Sequence, residues 1–148
     1  MFSLSQTTSY AIQALTCLAS ETCSCDFMSE IAECSGVPQA YLAKIMRRLN
    51  HAGLVQSKRG YKGGVWLAQP PGEINLWDIS AAIDGDGFMS QCLLGDESCD
   101  DMRDCPTHQF WKVERAKIQE ELTRTTLADV VAFKLGRTQS GQGACSPS

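Results

Sequence analysis

What this chain lacks narrows it first. Its 148 residues hold no apolar run approaching the roughly 20 needed to span a bilayer, and the N-terminus shows no basic-then-apolar export pattern. A cytoplasmic protein with no membrane partner is therefore expected. No internal repeat is visible. Histidine occurs only twice, at His51 and His108, and neither an acid–base pair, a nucleophile constellation nor a second-cofactor motif accompanies it, so the chain does not read as an enzyme. No Cys-x-x-Cys pair occurs among the eight cysteines, so the tight ligand pairs usual at zinc sites are missing. Without an export pattern these cysteines are expected to be reduced or metal-bound, not paired as a disulfide framework. Acidic residues are absent between positions 44 and 62, although the chain as a whole carries a net charge of −4.

What is present fits one compact domain, or a small domain with an oligomerisation arm. The acid-free stretch carries six Lys and Arg residues, namely Lys44, Arg47, Arg48, Lys58, Arg59 and Lys62. Residues 84–104 carry seven acids against one Arg. A basic pole facing an acidic loop is the footprint of a local anion-binding surface. Two solvated patches are the plainer alternative, so the basic block needs structural support before it means DNA.

That support comes from the order of elements. Ala11, Ala14, Leu15, Leu18 and Ala19 recur at helical spacing and predict a helix over residues 5–20. A second, short helix is expected over 27–34 with Asp26 as N-cap and Ile31 inward. After the Ser35-Gly36-Val37 turn, Pro38 suits the first position of a third helix, with Leu42, Ile45, Met46 and Leu49 inward and Gly53 closing it. Ala40, Lys44, Arg47 and His51, with Ala43 at the edge, occupy the opposite face. Short helix, tight turn and basic-faced helix make a helix-turn-helix pattern. Residues 54–58 and 65–68 then read as strands flanking the basic, glycine-rich tip Arg59-Gly60-Tyr61-Lys62-Gly63-Gly64. A hairpin after a recognition helix is a wing, whose Arg and Lys can hold phosphates or enter a minor groove.

Beyond Pro70-Pro71-Gly72, Asn75 caps a helix striped by Leu76, Ile79 and Ile83. Pro106 is expected to start a long helix to about residue 122. Its narrow stripe of Trp111, Ile118 and Leu122, flanked by Phe110, suits a helix-on-helix seam between two copies; packing on its own domain is the rival reading. A short helix over 127–133 and a disordered Gly/Ser/Gln-rich tail over 136–148 complete the chain.

Between these helices Cys92, Cys99, Cys105 and His108 gather metal-ligand chemistry in one loop. Six and five residues separate the thiols, and the imidazole follows Cys105 by three, where a helix start would put both on one face. An iron–sulfur site, a zinc site and plain reduced thiols all remain open on spacing alone. Cys17 and Cys34 fall in helical segments and read as packing residues. Nothing near Cys23 and Cys25 would lower a thiol pKa, and Cys145 has no partner at ligand spacing.

The wing Arg59-Gly-Tyr-Lys-Gly-Gly-Val-Trp-Leu-Ala68, three cysteines in order, and Cys105-Pro-Thr-His108-Gln-Phe-Trp111 together resemble the Rrf2 family of bacterial regulators over residues 1 to about 133. Within it the chain looks most like the IscR group, with the NsrR and RirA groups next. The resemblance implies a cytoplasmic, homodimeric regulator in which an iron–sulfur cluster, 2Fe-2S in preference to 4Fe-4S, is held by Cys92, Cys99, Cys105 and, as fourth ligand, His108. Six residues instead of the usual five part the first two cysteines, and Ala43-Lys44 stands where IscR relatives commonly carry Glu-Gln. Ser9 occupies the position where the NsrR type can place a ligating Asp.

The expected architecture is mainly α: a winged helix-turn-helix DNA-binding domain over 1–83, a cluster loop over 84–105, and dimerisation helices over 106–135. Gln39, Ala40, Tyr41, Lys44, Arg47 and Arg48 would read the major groove of a double-stranded operator, and Arg59 and Lys62 would hold the flanking backbone or minor groove. The cluster would sense iron, redox state or nitric oxide. An iron–sulfur electron carrier and a zinc-stabilised interaction module are the competing classes.

Overall fold

The start of the first helix is set by Ser5, whose Oγ accepts the Thr8 amide at 3.1 Å and so satisfies one donor that a helix N-terminus leaves free. That helix, α1 (Gln6–Ala19), is the hub of the computed structural model, which describes residues 3–21, 25–95, 99–102 and 104–138. Ala11 and Ala14 are fully buried beside Leu15, and their small side chains let neighbouring helices come close.

Helix α2 (Met28–Ser35) starts one residue later than its spacing predicts, and Asp26 is not its cap. Phe27 takes the N-cap position, and the Glu30 carboxylate reaches back to accept the amides of Asp26 and Phe27 at 2.9 and 3.0 Å. A carboxylate in the first turn serves the same orphan donors and sits at the favourable end of the helix dipole. Gly36, at φ +71, ends α2 in the left-handed conformation. Pro38 is the N-cap of α3 (Gln39–His51), one place before the slot expected for it. Leu42, Ile45, Met46 and Leu49 face the core. The helix closes when the Leu54 amide bonds the Leu49 carbonyl and the Gly53 amide bonds the Asn50 carbonyl, with Gly53 at φ +76.

Strands β1 (Val55–Lys58) and β2 (Gly64–Leu67) pair antiparallel, Val55 opposite Leu67 and Lys58 opposite Gly64. Val55 and Val65 reach the core while the other face of the hairpin is exposed. A short 3-10 turn (Pro71–Glu73) leads to α4 (Leu76–Asp84), where Asn75 Oδ1 accepts the Asp78 amide at 2.8 Å. Ile79 and Ile83 are buried, and the buried Ser80 hydroxyl is satisfied by the Leu76 carbonyl.

Helix α5 (His108–Arg124) begins two residues after Pro106, with Thr107 at its N-cap. It is about 25 Å long, and His108 is its one buried residue. Helix α6 (Leu127–Thr138) runs past residue 133, so positions 136–138, expected in a tail, are helical. Leu127 lies in the same core as α1 to α4. The α5–α6 junction is stitched to the segment before α4 by Leu127 N–H to the Ile74 carbonyl at 2.7 Å and Leu76 N–H to the Thr125 carbonyl at 3.0 Å. Residues 139–148, with Cys145, and also Cys23 lie outside the described residues. Cys17 is buried on α1 and Cys34 half-buried on α2. No helix among the described residues is long and apolar enough to cross a membrane.

Thr126 and Asp129 cap α6 reciprocally: the Asp129 carboxylate accepts the Thr126 amide and hydroxyl, and the Asp129 amide returns to the hydroxyl. The Thr126 amide, then its hydroxyl, hold the Asp129 carboxyl below its ordinary value. A carboxyl lowered in the folded state contributes stability above its unfolded pKa of about 3.9, and loses it as pH falls through the lowered value. Asp129→Asn should therefore lower the melting temperature at pH 7 and make its acid limb, scanned from pH 7 down to 2, shallower; parallel curves would show that the cap adds nothing.

Candidate nucleic-acid face and metal centre

The outer face of α3 presents Gln39, Ala40, Tyr41, Ala43, Lys44 and Arg47 to solvent, because the inward stripe leaves these positions pointing away from the core. A groove of about 660 Å3 runs between this helix and the wing, lined in part by Ala43, Arg47, His51, Lys58 and Arg59, with Asp26 at its edge. Arg48 points elsewhere. Its guanidinium donates to the Ile83 carbonyl at 2.5 Å, in the last turn of α4, where a cation suits the helix dipole. Tyr41 packs against Tyr10, ring centres 6.0 Å apart.

A backbone bond, Val65 N–H to the Asp26 carbonyl at 2.8 Å, ties the wing to the segment that leads into α2. Only glycine fits beside it: a Cβ on Gly64, at φ +153, would lie 2.9 Å from that carbonyl oxygen, and one on Gly63 would lie 2.3 Å from the Lys58 oxygen. Arg59, Tyr61 and Lys62 are exposed at the tip, and Tyr61, 91 % exposed, carries the Lys62 ammonium 5.9 Å from its ring centre. Lys62 itself stands at φ +58, a conformation non-glycine residues rarely take.

The cysteine loop leaves α4 at Gly85 and is drawn back onto α5. Arg115 donates to the Met89 carbonyl at 3.0 Å and the Trp111 indole to the Gln91 carbonyl at 2.8 Å, which delivers Cys92 to the start of α5. The Cys99 amide bonds the Ser90 carbonyl at 2.9 Å, which returns the second cysteine to the start of the loop. Phe88 packs against Trp77 of α4, centres 4.8 Å apart.

The four sequence-predicted donors arrive as two pairs. Cys99 Sγ lies 3.2 Å from His108 Nδ1. Cys105 stands before the helix, 3.3 Å from the Thr107 hydroxyl, with Cys92 near it. The Thr107 hydroxyl, foremost, then its amide, lower the Cys105 thiol pKa, with Cys92 adding a smaller push in the same direction. On the outer side, His108 Nε2 meets Asp101 Oδ1 at 2.8 Å, and the Lys112 ammonium meets the same oxygen at 3.0 Å. Among the described residues no three His, Cys, Asp or Glu side chains close around a single ion. By their chemistry, three soft thiols and one imidazole are donors of the kind that suit an iron–sulfur cluster. Asp96 and Glu97, part of the acidic loop, lie outside the described residues.

With this geometry in place, the comparison with known proteins is direct. Residues 4–132 match the family described as Rrf2, iron-dependent transcriptional regulator. The chain belongs to the Rrf2 family. A candidate HTH-type transcriptional regulator of Aquifex aeolicus (strain VF5) is 35 % identical over 130 residues, covering 86 % of this chain and 90 % of that one. Among solved structures, T. potens IscR matches with a TM-score of 0.71 at 29 % identity, covering 96 % of this chain and 94 % of its own. CymR (YrzC), the global cysteine regulator of B. subtilis, matches at 0.71 and 26 % identity, covering 90 % and 98 %. This Rrf2 chain is thus a transcriptional regulator with a DNA-binding winged helix, similar to IscR, and its relatives are not enzymes.

Asp101 belongs to the acidic loop expected to surround this Rrf2 site, but its contact with the His108 ring, and the parts played by Lys112 and Arg115, carry no signal in the sequence. Asp101 sits eleven positions from Lys112, in a loop with no period, so no pattern links them. Arg47 and Arg48 are neighbours in sequence with different surroundings, which generates a test. Arg47→Ala or Arg59→Ala should weaken DNA binding by about 1 kcal/mol or more and reduce the salt slope by about one counterion, with melting temperature unchanged. Arg48→Met should lower the melting temperature through loss of the α3–α4 tie; a variant that kept its melting temperature and lost only DNA affinity would return Arg48 to the reading face.

Proposed function

We propose that this regulator binds a double-stranded operator as a homodimer in the cytoplasm, and that an iron–sulfur cluster on Cys92, Cys99, Cys105 and His108 sets its affinity. The observation that supports this reading is the approach of Cys99 Sγ to within 3.2 Å of His108 Nδ1 at the start of α5, with Cys92 beside Cys105 on the same loop. When bound, such a cluster supplies a centre that changes with iron supply, redox state or nitric oxide. Two ligand pairs favour a 2Fe-2S over a 4Fe-4S cluster, since each pair suits one iron.

The chain's own residues give such a site a route to the DNA face. The loop begins where α4 ends, and that end is tied to α3 by Arg48 on the Ile83 carbonyl and to α1 by Ser5 and Thr8 on the Asp84 carboxylate, at 2.8 Å for the shorter Ser5 contact and 2.8 Å for Thr8. Ligation that moves the loop start loads both ties. A shift in DNA affinity then requires that ligation favour one arrangement of α3 and α4 over another. Gln39, Ala40, Tyr41, Lys44 and Arg47 read bases in this scheme, and Arg59 and Lys62 hold the backbone or minor groove.

Anaerobic purification with absorption and Mössbauer spectra, followed by gel shifts of apo and loaded protein on genomic operator fragments, tests the reading. Loaded and apo forms should differ in affinity; equal affinity would remove the cluster as a switch, and bound zinc with no iron would support the interaction-module alternative. His108→Ala should give a labile or absent cluster and His108→Cys a retained one with altered potential. Wild-type spectra for His108→Ala would instead point to a 4Fe-4S cluster on the three cysteines.

A second copy fits against α5. Phe110 and Val113 are 60 % and 52 % exposed there. The half-buried Trp111, Ile118 and Leu122 open on a cleft of about 810 Å3 shared with Leu4, Phe88 and Leu93. Covering such apolar surface is worth about 25 cal/mol per Å2. Ile118→Asp should place a charge in that seam and yield monomers with poor operator binding by light scattering and gel shift; an unchanged dimer would put the seam elsewhere.

A further inference from the structure

We propose that Asp101 and Lys112 are positioning residues for His108, fixing its ring so that Nδ1 is the nitrogen offered to the cluster while Nε2 is spoken for. This rests on the reading of His108 as a cluster ligand.

The two ring nitrogens face different chemistry. Nδ1 is turned inward, 3.2 Å from the Cys99 sulfur. Nε2 is turned outward, 2.8 Å from Asp101 Oδ1. His108 is 7 % exposed, so its ring does not turn freely between the two environments. Lys112 lies one helical turn beyond His108, and its ammonium reaches the same oxygen at 3.0 Å, so two side chains of one α5 face grip one carboxylate. Oδ1 of Asp101 is thus shared between the Lys112 ammonium and the ring, and a carboxylate paired with a cation can only accept. The proton between them therefore belongs to Nε2, which leaves the Nδ1 lone pair directed at the Cys99 sulfur. A ligating histidine that donates its other N–H to a carboxylate is held in one tautomer and one orientation, and becomes a stronger donor.

Arg115 and Trp111, on the same helix, are engaged with loop carbonyls and do not compete for Asp101. Asp101 is thus supplied by the loop and Lys112 by the helix, and the arrangement closes only when the segment after Cys99 lies against α5.

The test uses the full chain, loaded anaerobically and reduced, with histidine labelled by nitrogen-15 at Nδ1 alone or Nε2 alone, and pulsed EPR to find the strongly coupled nitrogen. The strong coupling should follow the Nδ1 label. Strong coupling from the Nε2 label would overturn the proposal while leaving His108 a ligand. A loaded protein with no strongly coupled nitrogen would overturn the ligand reading itself, and this proposal with it. Asp101→Asn should shift the nitrogen coupling and speed cluster loss to a chelator by about 10-fold or more, the low end of what removal of an outer partner costs. Asp101→Glu should restore much of both. An Asp101→Asn protein with unchanged coupling and unchanged chelator kinetics would remove the positioning role.

Discussion

Thr8 is fully buried on α1, and its hydroxyl has to find a partner without water. The partner is Asp84, the last residue of α4, whose carboxylate also takes two contacts from Ser5. A carboxylate at a helix C-terminus is on the wrong end of its own dipole, and here the N-terminus of α1 supplies the compensating field. This one contact fixes where α4 ends relative to the hub helix. From there Gly85 starts the cysteine loop and the Ile83 carbonyl receives Arg48, so the position of the loop and the position of α3 are both referred to the same point.

Much of the fold was legible because it rests on local rules. Ala11, Ala14 and Leu15 announced the buried face of α1, Leu42 to Leu49 that of α3, and the glycines between residues 59 and 64 the wing. Errors gathered where two local rules competed. Asp26 is a better N-cap than Phe27 by composition, yet its backbone is needed to pair with Val65, and Glu30 could serve the helix end from inside. Pro106 suits a helix start, but the chain is still turning to bring Cys105 beside Cys92, so α5 waits for His108. The Gly136 expected to begin a tail lies within α6, whose Leu127 is anchored in the core with α1.

The candidate site was legible in its donors and not in its pairing. Spacing alone joined Cys105 to His108, because three residues on a helix share a face; the partner of His108 is Cys99, brought there by the Ser90 carbonyl and by Arg115 and Trp111 gripping the loop. Arg48 shows the same limit from the DNA side. Its charge belongs to the basic block, and its destination is set by where α4 ends, a fact about a helix that begins 28 positions later.

The Val65–Asp26 backbone bond and the close approach at Gly64 seat the hairpin against the segment before α2. A duplex that meets the recognition helix must present its flanking groove at a distance the protein has already set. A reader built in this way would gauge the width and bend of its site as well as its base edges, and stiff or kinked steps outside the contacted bases would become part of what it selects.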